Sequence, residues 1–110
     1  MDPETLFTYN VRVLNVTDGD TVWVLVDLGF GITVRQHLRL RGLDAPEIES
    51  SEGKEAKAFV EAQFQKNRGP LLIKTVKSDK YDRYLADVWI GDEYLNQKLI
   101  EKDLAIRVSE

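Results

Sequence analysis

Apolar residues change their spacing along this chain at about Gly53, and that change restricts the folds open to it. Before this point apolar side chains recur at every second position, which is the period of β-strands. From Gly53 to Lys66 the spacing becomes helical, and Ala56, Phe59 and Phe64 fall on one stripe. The sequence therefore predicts a β-sheet built first and a helix laid against it through Phe59 and Phe64.

Five segments have the composition and alternation of strands, and short turns rich in glycine and aspartate separate several of them. The predicted strands are Tyr9–Val16, Thr21–Asp27, Ile32–Arg41, Leu71–Val76 and Tyr84–Ile90. A second, short helix is predicted over Leu95–Lys102. Three strands, a helix, two strands and a helix predict a β-rich α+β fold, a five-stranded OB-type Greek-key barrel with a short C-terminal helix. The same order also allows other α+β folds.

The third predicted strand has two different faces. Its apolar side includes Ile32, Val34 and Leu38, and its polar side includes His37 and Arg39. We expect the apolar side to face the barrel interior. His37 is the only histidine, and we interpret it as a surface residue. Trp23 and Trp89 are expected to pack in the barrel.

Composition excludes several function classes. The 110 residues form one predicted domain, and they contain no cysteine for a disulfide or a thiolate metal site. A net charge of −4 argues against a domain that holds nucleic acid by overall charge alone. There is no membrane-length apolar run and no signal peptide, so we expect a domain away from membranes and favour the cytoplasm. We also expect a monomer, cut from a longer protein that carries other domains.

Carboxylates and arginines are predicted where strands end. Asp20 precedes the second strand and Asp44 follows the third, so a meander of the first three strands can bring both to one edge. Converging carboxylates repel one another unless a cation neutralises them, and oxygen ligands suit Ca²⁺ or Mg²⁺. Arg39 and Arg83 each offer a planar fork that can hold a phosphate. Each motif alone is an ordinary turn or a solvated side chain, but together they form a set that phosphoryl transfer uses.

In these motifs the chain resembles the staphylococcal nuclease (thermonuclease) family. The segments that carry the resemblance are Val16–Val22, Arg39–Glu47, Asp79–Ala86 and Leu95–Leu99 with Leu104 and Ala105 behind them. The family usually has glycine where this chain has Asp82. The resemblance implies a Ca²⁺-dependent nuclease that hydrolyses DNA and RNA with low sequence specificity, prefers single strands and leaves 3′-phosphate ends.

The resemblance also implies a role for individual residues. Asp20, Asp44 and the Ala45 carbonyl would bind Ca²⁺, and Glu47 would bind it through a water molecule. Asp18 would lie beside these ligands.

The implied catalytic residues are Arg39, Glu47 and Arg83. The two arginines would contact the phosphate, Glu47 would position or deprotonate water, and Lys80 and Tyr81 would line the nucleotide site.

Two rival hypotheses belong to other classes. The same barrel serves in modules that bind RNA or protein without catalysis, and a weak or inactive binding module is the alternative to the nuclease. A purely structural interaction domain is the third. Degenerate copies of the site are expected to lose its arginines or carboxylates, whereas this chain keeps Asp20, Arg39, Asp44, Glu47 and Arg83.

Overall fold

The structure is a computed structural model, and it describes residues 6–66, 69–76 and 84–109. The elements within these residues, in chain order, are β1 (Thr8–Asp18), β2 (Thr21–Asp27), β3 (Thr33–Leu40), β4 (Leu43–Asp44), α1 (Ser51–Gln65), β5 (Leu71–Val76), β6 (Tyr84–Ile90), β7 (Glu93–Tyr94), α2 (Leu95–Glu101) and β8 (Ile106–Arg107). The five predicted strands correspond to β1, β2, β3, β5 and β6. The three two-residue strands were not predicted, because so short a pairing leaves no periodic pattern in the sequence.

The main sheet closes into a barrel. Its strands are hydrogen-bonded in the order β3-β2-β1-β5-β6, and a parallel pairing of β3 with β6 joins the two ends. In that closing pair Leu38 lies opposite Tyr84 and Leu40 opposite Ala86. The predicted five-stranded barrel is therefore confirmed.

The long strand β1 changes its pairing partner along its length. Its first residues pair with β5 at Thr8–Asn10, and its later residues pair with β2 as far as Asp18. The register shifts between Val13 and Asn15 and again between Val16 and Asp18. Such bulges bend a strand and increase its twist. The second bulge lies directly before the Asp18–Asp20 turn and so helps to aim that turn.

Helix α1 begins where the sequence allows a cap. The Ser50 hydroxyl accepts a hydrogen bond from the Gly53 amide at 2.9 Å, which satisfies one of the helix's first amides. Phe59 and Phe64 contact the barrel core, as predicted, but both are only half-buried. Replacing Phe59 by alanine should therefore cost less than the ~3–5 kcal/mol of a fully buried ring. Among the described residues no helix is both long and apolar enough to cross a membrane.

One residue predicted to face the core does not reach it. Ile32 is exposed, and β3 begins at Thr33 and ends at Leu40, one residue inside each predicted limit. The pairing of β1 with β2 reaches only as far as Val26. The tip of the β2–β3 hairpin therefore extends past the barrel wall, and within the described residues no neighbouring strand covers Ile32.

Two glycines let the loops around the candidate site approach one another. A methyl group on Gly19 would lie 2.7 Å from the Ala56 side chain and 2.9 Å from that of Ala45. A methyl group on Gly53 would lie 1.8 Å from the Glu47 carbonyl oxygen. Glycine at these positions therefore allows the Asp18–Asp20 turn and the loop after β4 to pack directly against α1.

A polar network fixes the end of β3 beside α2. Arg41 donates to both carboxylate oxygens of buried Asp87, and the Tyr94 hydroxyl donates to the same group. The Asn96 amide donates to the carbonyls of Arg41 and Ala86 at 2.9 and 3.0 Å. Because this network holds β3 and β6 together just after Arg39, it fixes the direction of the chain towards Asp44.

We expect Gly53→Ala to destabilise the protein. Alanine in a helix is ordinarily better than glycine by ~1 kcal/mol. Here the added methyl group would overlap the backbone of the loop that carries Glu47. We therefore expect the substitution to lower the free energy of unfolding and not to raise it. Denaturant unfolding of the variant and wild type measures the change.

Ala58→Gly is the matched control, because Ala58 is an exposed residue of the same helix. It should lose the usual ~1 kcal/mol. A gain in stability for Gly53→Ala would contradict the close approach of Gly53 to the Glu47 loop.

The Tyr94 hydroxyl should titrate at unusually high pH. Burial, and then the hydrogen bond to Asp87, raise the pKa of Tyr94 from 10.0 to about 12. The unfolded chain loses this proton near pH 10, so the stabilisation is complete below that pH and is lost as pH rises through about 12. Spectrophotometric titration of wild type and Tyr94→Phe should give a difference curve centred near pH 12. A difference curve centred at the ordinary tyrosine value would contradict this assignment.

Candidate metal and phosphate site

The turn between β1 and β2 holds its carboxylates in place with its own backbone. The Asp18 side chain accepts a hydrogen bond from the Asp20 amide at 3.1 Å. Asp20 is buried, and its Oδ1 accepts from the Thr21 hydroxyl at 2.8 Å. Its Oδ2 accepts from the Ala45 amide at 2.9 Å, which ties this turn to the loop after β4. The buried carboxylate therefore joins two loops that are 25 residues apart in sequence.

Burial makes the charge on Asp20 costly. Desolvation, and then the hydrogen-bonding contact with Asp18, raise the pKa of Asp20 above its usual range. Hydrogen bonds from Ala45 and Thr21 act in the opposite direction but do not cancel the shift. A cation beside Asp20 would stabilise its ionised form.

The cationic guanidinium of Arg39 lies close to the Asp20 carboxylate and to that of Asp44. Arg39 lies opposite Thr21 in the β2–β3 ladder, so its side chain points from the same edge of the sheet. Its Nη2 lies 3.0 Å from Asp44 Oδ1 and 3.8 Å from Asp20 Oδ2. The same nitrogen donates to the Leu43 carbonyl at 3.3 Å. The guanidinium therefore links the two carboxylates that were predicted to bind metal.

The loop after β4 presents the remaining acidic groups. Asp44 and Glu47 are exposed, and both line a depression with residues 103–106. The Ser50 hydroxyl donates to the Glu47 carbonyl at 2.6 Å, and the same hydroxyl caps α1. The start of α1 therefore fixes the backbone of Glu47 and leaves its carboxylate at the surface.

The structure brings six of the predicted site residues to one edge of the barrel. They are Asp18, Asp20, Arg39, Asp44, Ala45 and Glu47. Over the described part of the chain, no three histidine or acidic side chains already converge as a metal centre. The oxygen donors match the chemistry of a hard cation, but metal binding at this edge stays a prediction.

The second basic motif cannot be placed. Lys80, Tyr81 and Arg83, and with them Asp82, lie outside the described residues. Their roles in substrate binding and catalysis stay predictions from the sequence.

Sequence reasoning missed an aromatic and basic cluster on the outer face of β2 and β3. The rings of Trp23 and His37 are stacked at 4.2 Å with 5° between their planes. The Arg35 guanidinium carbon lies 4.7 Å from the centre of the Trp23 ring. The Thr17 hydroxyl and His37 Nε2 are 3.2 Å apart and share a hydrogen bond. Cross-strand pairing makes this cluster, and the sequence shows it only once the β2–β3 register is known.

The expectation that both tryptophans pack in the barrel was wrong. Val22 and Val24 occupy the inward positions of β2, so Trp23 between them must face outward. Trp89 is half-buried and stacks on Tyr94 with ring centres 5.3 Å apart. Neither ring belongs to the barrel core.

Comparison with known proteins gives consistent matches. The family model described as "Staphylococcal nuclease homologue" matches residues 37–110. The thermonuclease of Staphylococcus hyicus is 35% identical over 100 residues, which cover 86% of this chain and 56% of that protein. The thermonuclease of Staphylococcus intermedius is 35% identical over 99 residues, which cover 84% of this chain and 56% of that protein.

A third similar protein matches a shorter part of the chain. An uncharacterized 38.1 kDa protein of Capnoides sempervirens is 32% identical over 72 residues, or 64% of this chain and 20% of that protein. The chain thus spans little more than half the length of the two thermonucleases that it matches. Because the family model covers most of the chain, from His37 onward, this chain belongs to the staphylococcal nuclease family.

Proposed function

We propose that this chain is a metal-dependent nuclease domain that hydrolyses phosphodiester bonds in DNA and RNA. We propose further that it has low sequence specificity and prefers single strands. The proposal rests on one observation, the Arg39 guanidinium held between the carboxylates of Asp20 and Asp44. The name thermonuclease, carried by two relatives, supports the same class of reaction.

Ca²⁺ is the cofactor that we propose for this edge of the barrel. Asp20, Asp44 and the Ala45 carbonyl are the proposed direct ligands, and Glu47 is proposed to bind through water, with Asp18 beside them. Burial and the neighbouring Asp18 already make an uncompensated charge on Asp20 unfavourable. When bound, Ca²⁺ supplies positive charge that neutralises the carboxylates and the phosphate. Because Asp44 is exposed, its carboxylate can exchange Arg39 for another cation.

Arg39 is the proposed phosphate-binding group. Its planar fork can donate two hydrogen bonds to one phosphate and keeps its charge at any pH relevant to the protein. Charge increases on the phosphate oxygens as water attacks, so a fixed guanidinium stabilises the transition state more than the ground state. Arg83 is proposed as the second such group, with Lys80 and Tyr81 beside the nucleotide.

Glu47 is the proposed acceptor of the water proton. The water oxygen forms a bond to phosphorus while Glu47 takes a proton from that water. The bond from phosphorus to the 5′ oxygen breaks, and this oxygen takes a proton from solvent. The products are a 3′-phosphate end and a 5′-hydroxyl end.

Weak Ca²⁺ binding by Asp20 and Asp44 is the first expected outcome. An open site with few protein ligands binds Ca²⁺ less tightly than a complete cage. Calorimetry should show reduced affinity for Asp20→Ala and for Asp44→Ala. Asp92→Asn is the control, because Asp92 is an exposed acid in the turn between β6 and β7. Full Ca²⁺ affinity in both site variants would exclude the assignment.

Replacing Arg39 by lysine should lower kcat far more than it raises KM. Lysine keeps the charge but loses the bidentate fork, and loss of one such donor costs ~10²–10³ in rate. Arg107→Lys is the control, since Arg107 is exposed on β8 and its side chain bonds Gln97. Steady-state hydrolysis of denatured DNA measures both parameters. An equal loss in the two variants would show that Arg39 has no special role.

Glu47→Gln should reduce turnover by ~10²–10⁴ if Glu47 is the general base, with nucleic-acid binding largely kept. Glu49→Gln is the control, because Glu49 is an exposed residue of the same loop. Product-end analysis should give 3′-phosphates. Wild-type protein that leaves denatured DNA and RNA uncut in millimolar Ca²⁺ would refute the nuclease proposal and support the binding module.

A further inference from the structure

We propose that the outer face of β1, β2 and β3 is a binding strip for single-stranded nucleic acid that leads to Arg39. The strip consists of Arg12, Trp23, Leu25, Arg35 and His37. This inference rests on the proposed function and extends it. It adds a binding surface for the nucleotides that lie next to the phosphate at the candidate site.

The register of the three strands aligns these side chains in rows. Leu25 pairs with Arg12 on β1 and with Arg35 on β3, so two arginines flank one apolar residue. In the next row towards the candidate site, Trp23 pairs with Asn15 and His37. The row after that contains Asp18, Thr21 and Arg39.

These rows connect the strip directly to the candidate site. Arg35, His37 and Arg39 are alternate residues of β3 and therefore point to the same side of the sheet. Four residues of a strand span about 13 Å, which is enough for several stacked nucleotides at about 3.4 Å each. A single-stranded nucleic acid whose phosphate is bound at Arg39 can thus continue along the outer face of β3.

Charge favours an anionic occupant for this face. The whole chain carries a net charge of −4, so its overall charge does not attract nucleic acid. The rows of Leu25 and Trp23 nevertheless contain two charged side chains, Arg12 and Arg35, and both are cationic, while the row of Thr21 holds Arg39 together with Asp18. A local basic stripe on an acidic protein directs an anion to one face.

The Trp23 ring gives the strip a surface for a base. His37 stacks on this ring, and the Arg35 guanidinium lies over it as well. Arg35 is exposed, so a base can take its place on the ring. Base stacking on an aromatic ring is stronger than an exposed cation–π contact, and the displaced guanidinium is then available for the phosphate.

The fold agrees with this position. Barrels of the OB type commonly bind oligonucleotides across the face of their second and third strands. Single-strand sites combine a basic groove for phosphates with aromatic rings for bases. The outer face of β2 and β3 has both components next to the proposed catalytic edge.

The test measures binding of a fluorescent oligonucleotide of about 12 nucleotides by anisotropy, with chelator present so that no metal-dependent cleavage occurs. A second oligonucleotide of equal length has abasic sites throughout and so keeps only the phosphates. The variants are Trp23→Thr and Arg35→Gln, and Lys102→Gln is a charge-matched control at the exposed end of α2. Thermal unfolding confirms that each variant is folded.

Trp23→Thr should weaken binding of the normal strand about 5- to 150-fold, the effect of one lost base stack, and leave abasic binding unchanged. Arg35→Gln should weaken both strands several-fold and reduce the slope of log affinity against log salt by about 0.7. Lys102→Gln should change neither. If Trp23→Thr does not fold, Arg35→Gln with its salt slope tests the strip by itself.

Two results would overturn the strip. One is unchanged affinity for the normal strand in Trp23→Thr and in Arg35→Gln, and the other is a wild-type protein that binds neither strand. An equal loss for both strands in Trp23→Thr would also reject base stacking on that ring. Binding without cleavage after Ca²⁺ is added would refute only the nuclease, so the two proposals fail by different results.

Discussion

The hydrogen bond from the Ala45 amide to the Asp20 carboxylate joins the two loops on which the candidate site depends. One loop is the turn between β1 and β2, and the other leads from β4 to α1 and carries Glu47. A hydrogen bond from the Leu40 amide to the Asp20 carbonyl ties the first loop to the barrel, and the contact with the Ala45 amide ties it to the second loop as well. Gly19 allows that contact, because any larger residue would collide with Ala45 and Ala56. The barrel brings the loops to one edge, and this contact fixes their separation.

The Asp20 carboxylate stabilises the contact between the two loops, but its burial also costs free energy. Asp20 accepts hydrogen bonds from Ala45 and Thr21, yet burial raises its pKa. The favourable contacts and the cost of desolvation therefore act on the same group. A neighbouring cation relieves that cost, and in this structure the Arg39 guanidinium lies 3.8 Å from Asp20 Oδ2. The local chemistry thus favours positive charge at a protein edge that is otherwise acidic.

The sequence predicted the elements better than their surroundings. Strand and helix periods located β1, β2, β3, β5, β6, α1 and α2, because apolar spacing reports which side of an element is buried. The sequence did not predict that Ile32 is exposed. The exposure of Ile32 depends on where the β1–β2 ladder ends, and the alternation of residues in β3 does not show this. Trp23 was misplaced for a related reason, since its hydrophobicity suggested burial while the register turned it outward. The acidic and basic motifs indicated a site, but the contact of Arg39 with both Asp20 and Asp44 depends on side-chain geometry that spacing does not contain.

The double contact of Arg39 also shapes how the proposed site would operate. Asp20 and Asp44 accept the same guanidinium that is proposed to bind phosphate, so carboxylates and phosphate compete for one group. A metal ion bound by the two carboxylates would free Arg39 to bind the substrate phosphate. Conversely, a phosphate bound by Arg39 would free the two carboxylates to bind the metal ion. Binding of the metal ion would therefore raise the affinity for phosphate, and binding of phosphate would raise the affinity for the metal ion by the same factor. The free energies assigned to Arg39 and to the carboxylates are then not additive, because each depends on whether the other is satisfied. On this reasoning the arginine and the acids form a single unit, and the strip along β3 adds affinity without entering that competition.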